Sequence, residues 1–247
     1  MRLTVVGCGD AFGSGGRSNT CYRLETGGIT ATLDFGASAP VGLHKLGLSA
    51  ADIDLIFLSH LHGDHFGGLP FLLLDGQFVD RRAKPLLIVG PPGTRARLDA
   101  AMEVLFPRMG ENAWRFDWEV VEVEPGSTTK HGPFTLTTAQ VVHPSGAPST
   151  ALRLTDGART VAFSGDTEWT EALLPIAAGA DLFICESYMF EGSPVGHMAY
   201  RTIAERREDL AAKRILLTHM SDGMWARRDE VDAAYFTVAE DGLVLDL

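Results

Sequence analysis

The stretch Ser59-His60-Leu61-His62-Gly63-Asp64-His65 decides the reading of this chain. It places three histidines and an aspartate within six positions. Imidazole nitrogens and carboxylate oxygens are the donors that Zn²⁺ and similar divalent ions accept. The stretch follows an apolar run, Leu55–Leu58, that reads as a strand. The cluster is therefore expected in a loop leaving the carboxyl end of a strand, where open α/β sheets place ligands. The bland alternative is a polar turn whose histidines cap backbone groups. Four polar side chains packed this densely have no evident structural purpose of that kind.

Three positions farther along repeat the pattern. His143 follows Val141-Val142, Asp166 follows Ala162-Phe163-Ser164-Gly165, and His219 follows Leu216-Leu217-Thr218. Taken singly, each reads equally well as a turn residue, a helix cap or a satisfied core histidine. With the first cluster in place, one strand-end rim collects them all. Five histidines and two aspartates exceed what one tetrahedral zinc needs. Two ions fit: His60, His62 and His143 on one, Asp64, His65 and His219 on the other, and Asp166 bridging. Two ions about 3.5–4 Å apart hold a bridging hydroxide and clamp an oxyanion. The count of neutral imidazoles favours zinc over Mg²⁺ or Ca²⁺, and manganese or iron remain open alternatives.

Composition is compatible with such a site. The chain has 247 residues, 45% hydrophobic and 21% charged, enough for a sizeable core and unlike a disordered tail. Its formal net charge of −11 argues against a protein that coats nucleic acid or anionic membrane, since both reward clustered Lys and Arg. A small anionic substrate remains compatible, because a bound metal supplies its own positive charge. The three cysteines, Cys8, Cys21 and Cys185, cannot build a disulfide framework, so a reduced, cytoplasmic setting is expected. Met1 to Gly7 reads as a first strand rather than a signal peptide, and no apolar run approaches a membrane span.

No repeat, low-complexity segment or linker interrupts the chain, so residues 1–247 are expected to form one α/β domain. Strands are expected at Leu3–Val6, Thr20–Glu25, Thr30–Leu33, Leu55–Leu58, Leu86–Val89, Phe116–Val123, Phe134–Val142, Thr150–Leu154, Thr160–Phe163, Leu182–Cys185 and Ile215–Thr218. Helices are expected at Thr94–Phe106, Thr170–Ala178 and Ala199–Ala212. Many strands with few long helices suggest paired sheets with helices outside. The stretch from Phe66 to Gly110, with Phe71, Leu72, Phe78, Leu105, Phe106 and Met109, is expected to shape an apolar pocket.

His-x-His-x-Asp-His followed by His143, Asp166 and His219 resembles the metallo-β-lactamase superfamily over nearly the whole chain. Gly7-Cys8-Gly9-Asp10-Ala11-Phe12, Arg17-Ser18-Asn19-Thr20, Phe163-Ser164-Gly165-Asp166-Thr167 and Leu217-Thr218-His219-Met220-Ser221 are similar to the ribonuclease Z-like branch. The resemblance implies a four-layer αββα sandwich with a dinuclear site at one rim between the sheets. It also implies that His197, in Gly196-His197-Met198, protonates the leaving oxygen, paired with Glu186 in Cys185-Glu186-Ser187. The competing reading of His197 is a helix-start residue exposed to water. Members that process transfer RNA carry a long arm between the positions of His143 and Asp166. Only 23 positions separate them here, filled by two expected strands. The paired arginines Arg81-Arg82 and Arg227-Arg228 read as solvated surface.

The expectation is a dinuclear metal-dependent hydrolase that cleaves a small or cyclic phosphodiester through a metal-bridging hydroxide. Asp64 and Asp166 would orient that hydroxide, and His197, held by Glu186, would serve as the acid. Hydrolysis of a thioester, lactone or lactam on the same site is the alternative. A transfer-RNA 3′-end endoribonuclease comes next, and a non-catalytic binding component last. The partner expected is a small anionic substrate rather than extended nucleic acid or membrane. Homodimers are common among the proteins it resembles.

Overall fold

The computed structural model describes residues 1–109 and 113–247. Strands β1 (Arg2–Gly7), β2 (Cys21–Thr26), β3 (Ile29–Leu33), β4 (Leu55–Phe57), β5 (Leu86–Gly90), β6 (Trp118–Glu122) and the last strand, β14 (Val244–Asp246), form one sheet in the order β14-β1-β2-β3-β4-β5-β6. Strands β7 (Thr128–His131), β8 (Phe134–Gln140), β9 (Thr150–Thr155), β10 (Thr160–Phe163), β11 (Leu182–Glu186), β12 (Ile215–Thr218) and β13 (Phe236–Val238) form the other, in the order β13-β12-β11-β10-β9-β8-β7. Each sheet has an antiparallel half and a parallel half. In the first, β3, β4, β5 and β6 run parallel. In the second, β10, β11, β12 and β13 do. Parallel strands end on the same edge, so their following loops gather there.

Alternation along the strands sorts side chains into layers. Leu3, Val5, Tyr22, Leu24, Leu33 and Phe57 of the first sheet pack against Phe134, Leu136, Leu152, Leu154, Phe163 and Ile184 of the second. The opposite faces carry helices. Val6, Ile56, Leu58 and Ile88 meet α1 (Ala39–Lys45), α3 (Leu69–Phe78) and α4 (Thr94–Leu105). Ala162, Phe183, Cys185 and Leu217 meet α5 (Leu173–Ala177), α6 (Tyr200–Glu205), α7 (Arg207–Leu210) and α8 (Asp222–Ala226). The layers are therefore helix, sheet, sheet, helix, as the resemblance implies. A single-turn helix, α2 (Gly63–Phe66), completes the set beside the histidine cluster. Among the described residues no helix is long and apolar enough to cross a membrane.

Several expected boundaries move. The helix expected over Ala199–Ala212 is two, because the Arg206 N–H is shared between the carbonyls of Thr202 and Ile203 and the ladder restarts there. The Thr170–Ala178 segment becomes helical only from Leu173, since the Thr170 hydroxyl takes the Ala172 N–H in a local turn. The strand expected to reach Val142 stops at Gln140, and the Val142 N–H bonds to the Thr167 hydroxyl instead. Phe116–Val123 shortens to Trp118–Glu122. Among the described residues, the positions named for an apolar pocket divide between core and surface. Leu72 is buried between helix and sheet, whereas Phe71, Phe78 and Leu105 stand exposed on α3 and α4. Gly110 lies outside the described residues.

Candidate metal centre

The parallel strands deliver the site. Loops after β3, β4, β10 and β12 carry Asp34, the His60–His65 cluster, Asp166 and His219, Glu186 is the last residue of β11, and His143 lies two residues past Val141, whose N–H still bonds to Ser149 O. Two glycines permit the close approach. A Cβ on Gly36 would lie 2.1 Å from the carbonyl oxygen of Asp64. Gly165 has φ +59° and passes 3.1 Å from the Ser59 Cβ by the same measure. Asp34 and His219 themselves adopt left-handed backbone, at φ 56° and 55°. Such a conformation costs about 1–3 kcal/mol and is held by the surrounding structure at functional positions.

All seven sequence-derived ligand candidates come together, in two groups. The ligand atoms of His60, His62 and His143 lie within 4.8 Å of one another, and so do those of Asp64, His65, Asp166 and His219. His143 Nε2 is 2.9 Å from His62 Nδ1. Asp166 Oδ2 is the hub between the groups. It lies 3.2 Å from both His65 Nε2 and His219 Nε2, 3.8 Å from His60 Nε2 and 3.9 Å from His143 Nε2. Asp64 Oδ2 is 3.4 Å from His65 Nε2.

The residues fit divalent ions. Among the described residues, His60 Nε2, His65 Nε2 and Asp166 Oδ1 are buried with no hydrogen-bond partner. A buried polar atom left unmatched is costly, and these three face one space. Hydrogen bonds outside the ring fix the tautomers. The Ser59 hydroxyl donates to Asp34 Oδ2, so the 3.0 Å contact leaves His60 Nδ1 to donate to Ser59 Oγ. His65 Nδ1 donates to Asp34 Oδ2 at 2.6 Å, and His143 Nδ1 donates to Gly196 O at 2.7 Å. In its neutral form each ring then turns its Nε2 lone pair inward. Burial holds His60 and His143 below the ordinary histidine value and His219 down to about 4, so these imidazoles are neutral donors at neutral pH. Burial opposes ionisation of Asp64 and Asp166, but His219 and His65, the latter raised by these carboxylates against its own burial, outweigh it and hold both carboxyls below their usual range.

His197 and Glu186 also meet. Glu186 is fully buried, and its carboxylate lies 3.2 Å from His197 Nδ1 while also accepting from the Thr167 N–H. Burial lowers His197, and the hydrogen bond and charge of Glu186 outweigh that and raise it. Burial pushes Glu186 up to about 7, with His197 pulling back. The protonation of each therefore depends on that of the other. One ring nitrogen of His197 lies within 4.8 Å of ligand atoms of His143 and Asp166. Tyr188 stacks on its ring, with centroids 4.6 Å apart. His197 is thus no water-exposed helix start. A cavity of about 300 Å³ opens beside it, lined by Glu168, Trp169, Pro194, Val195 and Thr202 among others.

Asp34 is the participant that sequence reading missed. Its signal resembles the one used for Asp166, an aspartate at the carboxyl end of a strand, here directly after Leu33. The space from His143 to Asp166 holds β9, β10 and their turns, with no arm.

A family profile described as Anti-Pycsar protein Apyc1 matches residues 1–241. The chain is 28% identical over 226 residues to the probable metallo-hydrolase YhfI of Bacillus subtilis, spanning 89% of this chain and 87% of that one. The crystal structure of YhfI, a metallo-beta-lactamase fold protein, superposes with a TM-score of 0.77 over 99% of this chain and 98% of its own, at 24% identity. Ribonuclease Z of Methanothermobacter thermautotrophicus is 27% identical over 272 residues, 90% of this chain and 87% of that one. Human tRNase Z, short form, superposes with a TM-score of 0.79 at 26% identity, covering 100% and 99%.

Proposed function

The chain belongs to the family described as Anti-Pycsar protein Apyc1, and from that premise we propose that it hydrolyses a small, cyclic phosphodiester at the rim between its two sheets. It is a metal-dependent hydrolase of the metallo-β-lactamase fold. The observation that carries the finer reading is the placement of the Glu186–His197 pair against the ligand set, with one His197 ring nitrogen within 4.8 Å of His143 and Asp166 ligand atoms.

His60, His62 and His143 would hold one ion, Asp64, His65 and His219 the other, and Asp166 both. When bound, two divalent ions acidify a water molecule and neutralise the charge that builds on phosphorus. Asp64 and Asp166 face the same space and would align the attacking water. A new P–O bond forms to the water oxygen as the ester P–O bond opposite it breaks. Glu186 occupies His197 Nδ1, which leaves Nε2 to donate its proton to the departing oxygen. In a cyclic diester that oxygen remains tethered to the product. The missing arm supports a small substrate, because nothing between His143 and Asp166 extends to grip a polynucleotide. Zinc suits five imidazoles and two carboxylates best.

The test measures metal per chain on purified protein. The same sample is then assayed against bis(p-nitrophenyl) phosphate, a thioester and a lactone. Two equivalents of metal with diester cleavage support the reading. Acyl turnover without diester cleavage overturns it.

A further inference from the structure

Among the described residues, Arg97 is one of several arginines of this acidic chain with no carboxylate at ion-pair distance; of the others, Arg17, Arg82 and Arg153 each place two or more N–H groups on backbone carbonyls. Arg95, two residues earlier, pairs with Asp99 at 2.9 Å, and Arg2, Arg159, Arg206 and Arg227 each hold a carboxylate. Among the described residues, none places a carboxylate within ion-pair distance of Arg97, and its guanidinium makes one hydrogen bond, from Nη1 to the Leu61 carbonyl at 3.3 Å. That carbonyl belongs to the peptide between His60 and His62. On its other side Nη2 lies 3.5 Å from where a Cβ on Gly146 would sit, in the loop that begins at His143. The half-buried Arg97 is thus seated between the two loops that carry His60, His62 and His143.

The positive charge here is the side chain's own. Arg97 rises from the first turn of α4, whose N-terminus is already filled by Glu122, accepting from the Gly93 and Arg95 N–H groups at 3.1 and 2.9 Å. A guanidinium offers five N–H donors in a planar fork that matches phosphate and carboxylate oxygens. A carbonyl uses one of them. A half-buried cation without a counter-charge is a costly arrangement that a ligand anion relieves.

We propose that Arg97 forms an anion subsite beside the His60, His62 and His143 group, which takes a second anionic group of the substrate, phosphate or carboxylate, in addition to the ester that is cleaved. This rests on the phosphodiesterase reading above and adds the substrate's second charge to it. Arg97 touches the substrate remote from the reacting atoms and sets specificity, not the chemistry.

The experiment compares three nitrophenyl diesters on the metal-loaded protein: one with an uncharged second arm, one with a carboxylate on that arm and one with a phosphonate. In the unmodified protein the charged arm should lower KM about tenfold or more, the scale of one charge-assisted hydrogen bond. Arg97→Gln removes the charge and keeps a polar side chain, so it should erase that preference, with Tm and metal content retained. Arg95→Gln should leave the preference in place. Which arm responds identifies phosphate or carboxylate. A preference that survives Arg97→Gln, or no preference in the unmodified protein, overturns the proposal. Equal loss on all three substrates with a lowered Tm reduces Arg97 to a clamp between loops and also overturns it. Should no diester be cleaved, the phosphodiesterase reading fails, and the subsite is judged without catalysis. Phenylglyoxal labelling of Arg97, read by mass spectrometry, should then slow in inorganic phosphate or acetate relative to chloride. Unchanged labelling in both overturns the proposal.

Discussion

Asp34 Oδ2 lies 2.6 Å from His65 Nδ1, and the same carboxylate accepts from the Ser59 hydroxyl that orients His60. One buried aspartate therefore sets the ring nitrogen presented to each of the two ion groups. Asp34→Asn keeps the shape but gives up the charge-assisted acceptor. Metal affinity should fall about 10–100-fold, the usual effect of losing such an outer partner. Titration with a competing chelator measures it. Affinity equal to that of the unmodified protein would show that Asp34 serves only the fold.

His62→Ala removes one donor from the group that also contains His60 and His143. The second group, which does not include His62, stays complete. Metal content should drop from about two equivalents toward about one, and turnover should fall with it. A variant with two ions and full rate would remove His62 from the ligand set.

Chelation should destabilise the fold. The unmatched atoms of His60, His65 and Asp166 are buried between elements that are far apart in sequence, so an ion there ties both sheets together. At a free-metal level about 1,000 times Kd the linkage is worth about 4 kcal/mol, which for a chain of this size is about 8–16 °C in Tm. Thermal unfolding with and without chelator, followed by restoration with Zn²⁺, reads this directly. An unchanged Tm would mean that the cluster does not hold ions in the folded state.

The site was more legible than the elements that surround it. Ligand types at strand ends can be read locally, because the apolar run and the residue that ends it are adjacent in sequence. His143, Asp166 and His219 were found that way, and Asp34 carried a similar mark. Short or distant pairings were not legible. β14 is three residues long and pairs with β1 across almost the full chain, so its stability lies in tertiary contacts that no local pattern records. α3 was invisible as a helix because Leu69-Pro70-Phe71-Leu72-Leu73-Leu74 is apolar on every face and shows no stripe. Its exposed Phe71 and Phe78 were for the same reason misread as pocket lining. Arg97 gave no signal either, since its meaning depends on two loops that meet only in the fold.

Glu186 and His197 give the prediction with a sign. The donor role requires a proton on His197. Burial alone would lower that imidazole, and the hydrogen bond and charge of Glu186 raise it above the ordinary histidine value. A raised value keeps the proton on the ring to higher pH, so the rate should fall only as pH climbs through the raised value. Glu186→Gln removes the opposing charge and leaves the burial, so the alkaline limb of the profile should move to lower pH. His197→Ala should keep both ions and slow turnover by about 10²–10⁴-fold. A substrate with a much better leaving group needs less protonation and should recover part of that loss. Metal analysis, a pH profile of kcat and the leaving-group comparison together check the assignment. If His197→Ala loses an ion instead of rate alone, its position beside His143 and Asp166 would mark it as a ligand and not the acid.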